Sequence, residues 1–177
     1  MKKVFVMGAV ALLLAVPITA MTSSSTDSAD TVVPSLKGLH DITKTNVLKS
    51  AEMLDEALYS YQPTEEVRTM GQLFGHIADA QGMFCGAAGS RENTLAGGAE
   101  QLSSKAEMVA ALNAAFAFCD EVYASMTDAD GAVMVDFFGS QMAASAVLAF
   151  NSAHNYEHYG NLVTYMRLNG ITPPSSM

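Results

Sequence analysis

The stretch "NSAHNYEHYGNLVTYMRLNG", residues 151–170, places His154 and His158 four residues apart. On a helix that spacing stacks two side chains on one face, so both imidazoles can reach a common point. The chain has only four histidines. A third, His76, lies in "TMGQLFGHIADAQGMFCGA", on the stripe that Leu73, Ile77, Ala80 and Phe84 form at helical spacing. One ring from one helix and two from another can build a three-nitrogen site across a bundle. Burying three unpaired imidazoles costs free energy at every unsatisfied polar atom, and a divalent cation removes that cost by taking one lone pair from each ring. An H-x-x-x-H pair alone is commonly an ordinary helix position. The independent third histidine is what points to a metal. His40, beside Leu39, has no partner at turn spacing and reads as structural or surface.

Three neutral imidazoles suit zinc, nickel, copper or iron, and the ligand set does not choose among them; zinc or nickel is the expectation. Three protein ligands leave coordination positions open, which is the pattern of a catalytic rather than a structural site. A water bound there would be acidified and could act as a nucleophile; a thiolate could also bind. A nearby carboxylate would serve as general base. Asp79, one turn after His76, and Glu157, flanking the His154–His158 pair, are the candidates, and each could instead orient a ligand ring. Asn161 and Tyr165, further along the same seam, would shape a pocket. That seam reads Ala143, Val147, Phe150, His154, His158, Asn161, Tyr165, Leu168.

Four helical segments must position these residues. The first runs from about Leu36 to Leu58 and stops before Pro63. The second follows Thr69, a suitable N-cap, and ends in "CGAAGSRENTLAGGAEQL". The third opens on a capping-box pattern, Ser104 to Glu107, and reaches about Met126. "AVMVDFF" has the pattern of a short extended piece, and the fourth helix spans about Ala143 to Asn169, closed by Gly170 and two prolines. The expected fold is all-α: a four-helix bundle. The tight first connection predicts antiparallel neighbours. The next two connections, about 15 residues each, are long enough to cross the bundle, which allows parallel second and third helices. In that arrangement Cys85 and Cys119 lie at equal depth and can form a disulfide. In a simple meander they would stand roughly 20 Å apart along the axis. Two buried free thiols are the alternative.

The N-terminus, "MKKVFVMGAVALLLAVPITA", has two lysines, an apolar run and small residues. It reads as a signal peptide over residues 1–20, with an uncleaved anchor as the alternative. A polar lead-in, residues 21–32, precedes a domain over 33–177, a length ordinary for one domain. Losing Lys2 and Lys3 would take the formal charge from −9 to −11. So acidic a chain argues against nucleic acid and anionic membranes as partners. The expectation is an exported protein, periplasmic or secreted, free of the membrane after cleavage. It would meet a small molecule, and a homodimer is open to it.

Two stretches resemble a known family. "RTMGQLFGHIADAQ" is similar to the second helix of DinB-like (DinB/YfiT) metalloenzymes, where one inward histidine precedes an Ala-Asp pair. "HNYEHYGNLVTYMRLNGITPP" is similar to that family's last helix in its paired histidines, the glycine two residues on, the Tyr-x-Arg stretch and the Gly-x-x-Pro ending. The resemblance spans about Leu36 to Pro174. It implies a metal triad on His76, His154 and His158, and a bundle with parallel second and third helices. Where relatives commonly carry glutamine after the glycine, this chain has Asn161. Some relatives transfer low-molecular-weight thiols. An exported protein would lack the cytoplasmic thiol pool, so a metal-dependent hydrolase is expected ahead of a thiol transferase. A non-catalytic metal-holding or stress-associated bundle is the third reading. A polar pocket over the histidines would favour the enzyme, and a cap of Phe74, Phe84, Phe150 or methionines would favour the holder.

Overall fold

The computed structural model describes residues 30–177. The expected signal peptide and most of the lead-in lie outside the described residues. Four long helices carry the fold: α1 (Val32–Met53), α2 (Met70–Ala88), α3 (Lys105–Ser125) and α5 (Ala144–Leu168). Between α3 and α5 come a single turn, α4 (Asp128–Gly131), and a hairpin of β1 (Met134–Phe137) with β2 (Ser140–Ala143). The hairpin pairs Met134 with Ala143 and Phe137 with Ser140. Its first strand lies in the extended piece expected at "AVMVDFF"; the second strand, and so the hairpin, is what the all-α expectation omitted. None of the described helices is long and apolar enough to cross a membrane.

Local chemistry sets the helix limits. Thr69 and Gln72 form a reciprocal capping box at the start of α2, and the Ser104 hydroxyl accepts the Glu107 backbone N–H at the start of α3. Lys105 Nζ donates to the carbonyls of Glu52 and Leu54, at 2.7 Å each, and places a cation on the end of α1. That helix therefore stops at Met53 rather than near Leu58, and a linker from Leu54 to Thr69 follows. With so long a linker α1 and α2 run antiparallel but stand diagonally, which corrects the expectation of adjacent neighbours. Each instead packs against α3 and α5. At the other end of the molecule, the Asp128 carboxylate accepts the backbone N–H groups of Thr31, Val32 and Val33. Helix α5 ends with Gly170 at φ +72° and the Ile171 N–H on the Met166 carbonyl at 2.9 Å, a Schellman closure.

Helices α2 and α3 are parallel. Cys85 and Cys119 are joined by a disulfide with their Cα atoms 5.3 Å apart, and one turn further along both helices Gly89 abuts Val122. The connector Gly89–Ser104 must therefore run back along the bundle, and it does so against α2. A Cβ on Gly82 would fall 2.5 Å from the Asn93 amide, and one on Gly75 would fall 2.5 Å from Glu100 Cα. Glycine at 75 is what allows the connector backbone to pass so close, and glycine at 82 leaves room for the Asn93 side chain.

Two apolar clusters fill the interior. One joins Val47, Phe74, Ile77, Leu112, Phe116, Leu162 and Met166; the other joins Phe84, the disulfide, Val122, Phe137, Val147 and Leu148. Buried polar side chains lie among them. Gln81 Oε1 accepts from Asn151 Nδ2 at 2.7 Å beside the disulfide. His40 is fully buried between the rings of Phe116 and Tyr123, so of its two expected settings it takes the interior one. Its Nε2 stands 3.5 Å from Asp120, whose carboxylate is ion-paired with Lys44.

Candidate metal centre

Helix α5 turns its core face through Val147, Leu148, Asn151, Asn155, Tyr159, Leu162 and Met166. The seam expected from the sequence lies at the rim of this face rather than its centre, and Phe150, Asn161 and Leu168 are exposed. That offset corrects the inward seam, and its physical consequence is access. His154 and His158 stand where the bundle meets its surface, and His76 on α2 faces them. His154 Nε2 lies 3.1 Å from His76 Nε2 and 3.1 Å from His158 Nε2. One potential ligand atom from each ring falls within 4.8 Å of the others.

This convergence is chemically incomplete. His154 Nε2 faces both neighbours, and a neutral imidazole nitrogen offers either one proton or one lone pair. Burial and the neighbouring rings push His154 down to about 4, and burial followed by His76 lowers His158 as well. Both are therefore neutral at pH 7, with a nitrogen free to donate electrons. Ligands held about 2.1 Å from one ion stand roughly 3.0–3.4 Å apart for octahedral to tetrahedral angles. The two 3.1 Å separations from His154 fit that span, and the donor set fits a divalent transition ion.

A second layer holds His76. Arg68 Nε donates to Glu100 Oε1 at 2.8 Å, and Glu100 Oε2 stands 3.4 Å from His76 Nδ1. The carboxylate is thus placed to fix the ring's tautomer with Nε2 turned to the ion. Glu100 sits on a short 3-10 turn, Ala99–Gln101, whose first amides are held by Asp79. Asp79 Oδ1 accepts from Ala99 N at 2.9 Å and Oδ2 from Glu100 N at 3.2 Å. Asp79, a sequence candidate for a base, therefore has both oxygens occupied by backbone. Sequence reasoning missed Glu100 and Arg68. They lie outside the helical stripes, and only the close approach at Gly75 brings the connector onto His76.

Two clefts flank the histidines. The polar one, about 530 Å³, is lined by Arg68, Gln72, Glu100, Glu157, Asn161 and Tyr165, with His158 in its wall. Glu157 is exposed there, and Tyr165 donates its hydroxyl proton to the Arg68 carbonyl at 3.1 Å. The other, about 340 Å³, is bounded by Met83, Phe84, Phe138 and Phe150, and its walls include His76 and His154. Phe74 is fully buried and caps neither.

The comparisons with known proteins give the family and the fold. The family model of the DinB superfamily matches residues 39–162. A DinB-like protein from Bacillus cereus is 20% identical, with a TM-score of 0.67 over 80% of this chain and 95% of its own. A DinB-like protein from Bacillus subtilis is also 20% identical, with a TM-score of 0.61 over 80% and 92%. A mycothiol-dependent maleylpyruvate isomerase shares the fold at 14% identity, with a TM-score of 0.60 over 73% of this chain and 60% of its own. No curated protein matches the sequence. With the family model spanning most of the chain, and the paired histidines of α5 and His76 of α2 within the matched residues, the protein belongs to the DinB superfamily.

Proposed function

We propose that this protein is an exported, metal-dependent hydrolase acting on a small molecule at His76, His154 and His158. One observation carries the reading: one ring nitrogen from each of three histidines falls within 4.8 Å of the others, beside a polar cleft large enough for a small molecule. A divalent transition ion held there, zinc or nickel first, supplies Lewis acidity and an acidified water at neutral pH. The chain's own residues do the rest. Glu100 and Arg68 hold His76 in its ligating orientation. Glu157, beside His158 and open to the cleft, is the carboxylate assigned to take a proton at its Oε atoms. Asn161 and Tyr165 form the cleft wall against which a substrate is oriented.

The polar cleft favours an enzyme over a metal-holding bundle, because a holder gains nothing from an open approach. The thiol-transferase reading draws on the mycothiol-dependent relative, whose likeness to this chain is one of fold. Export supports hydrolysis, since the segment "MKKVFVMGAVALLLAVPITA" reads as a leader to a compartment without that thiol pool.

Elemental analysis of the purified, untagged protein beside His154→Ala tests the site. Stoichiometric transition metal in the parent and a loss of at least tenfold in the variant is the expected result. Near-zero metal in both after incubation with zinc and nickel would remove the reading. The metal-loaded protein should then hydrolyse small esters or amides, and Glu157→Gln should lower the rate about 10²-fold with metal content unchanged.

A further inference from the structure

The second cleft has no part in the mechanism above, although two of the three histidines line it. We propose that it is a recognition subsite for an aromatic or aliphatic group, so that the molecule acted upon is amphiphilic: a polar end in the Glu157 cleft, a metal-binding group over the histidines, and an apolar arm against Met83, Phe84, Phe138 and Phe150. The inference rests on the proposed metal site.

Three observations support it. The aromatic rings form a continuous wall leading to a ligand: Phe137 packs 5.1 Å from Phe84, and Phe84 packs 5.2 Å from Phe150 and 5.3 Å from His154. Its floor is therefore the candidate metal site itself, which selects a small molecule over a flat partner surface. At about 340 Å³ the space takes a ring or a chain of several methylenes. The third observation is Phe138. It occupies the first position of the two-residue hairpin turn, with φ +52° followed by Gly139 at φ +75°. A turn of that kind favours Asn-Gly, and a bulky side chain at positive φ is strained. Phe138 is also 71% exposed, so its ring adds little to the core in return. Its place on the cleft rim is where that ring has a use.

The turn supplies a variant that should fold. Phe138→Asn relieves the backbone, and Phe150→Gln replaces an exposed residue, 45% accessible, with a good helix former. The protein loaded with zinc is titrated calorimetrically with acetohydroxamate, benzohydroxamate and octanohydroxamate, which share one metal-chelating head. The parent should bind the two longer probes at least tenfold more tightly than acetohydroxamate, and in the double variant that ratio should fall to about one to three. Equal affinity for all three probes in the parent overturns the subsite while leaving the metal site standing. Failure to bind any hydroxamate, with no zinc retained, overturns the metal site. In that case fluorescence of N-phenyl-1-naphthylamine, enhanced by the parent and not by the double variant, would still support the apolar subsite; no enhancement would overturn it. Light scattering that shows a dimer in the parent and a monomer in the double variant would also overturn it, making this face a contact between copies.

Discussion

At the scale of single residues, Glu100 decides how well His76 can serve as a ligand. The Nδ1 atoms of His154 and His158 are buried without a protein partner, whereas His76 Nδ1 has the Glu100 carboxylate 3.4 Å away. Glu100→Gln keeps the size of the side chain and removes the charge. It should weaken zinc binding about 10- to 100-fold, measured by competition with a chromophoric chelator, while the helical circular dichroism stays unchanged. The three histidines were legible because helical spacing and apolar neighbours mark them. Glu100 was not, since it lies 24 positions from His76 in a connector without periodicity. Asp79 was legible as a carboxylate near the site, but which groups its oxygens face depends on where that connector passes.

At the scale of elements, the parallel pairing of α2 and α3 depends on a long return path. The disulfide closes a sequence separation of 34 residues across that path. By loop-closure entropy, removing it should cost about 3–4 kcal/mol, read as the shift in urea unfolding between the parent and Cys85→Ala/Cys119→Ala. Mass spectrometry without reductant should find the parent two hydrogens lighter than its dithiol form. The caps at Thr69 and Ser104, the glycine stop of α5 and the third helix's limits were all readable, because each is a local signal. The end of α1 was not. It is set by Lys105 from a distant helix, so apolar spacing carried the expected helix past Met53 to Leu58.

At the scale of the whole molecule, buried titratable groups make stability depend on pH. Burial pushes His40 down from 6.5 to about 4, against the opposing pull of Asp120. Above pH 6.5 the ring is neutral both folded and unfolded, and the contribution is constant. As pH falls from 6.5 toward 4 the unfolded chain takes up a proton that the folded one refuses, so stability drops, by up to about 3 kcal/mol from this group. His40→Gln should be less stable at pH 7.5 but lose less on acidification, in urea titrations of chelator-treated protein at pH 7.5 and 5. The burial of His40 was not legible, since its neighbours Phe116, Asp120 and Tyr123 come from another helix. The four long helices and their order were, because periodicity and connection length are properties of the chain itself; the single turn α4 was not. The disulfide joins Cys85, nine residues beyond His76, or about 13 Å along α2. A reductant and a chelator would thus act about two and a half turns apart on α2, with Phe84 packed both in the disulfide's cluster and 5.3 Å from His154. Each should lower the unfolding midpoint, and through that shared ring the loss with both reagents present should depart from the sum of the two.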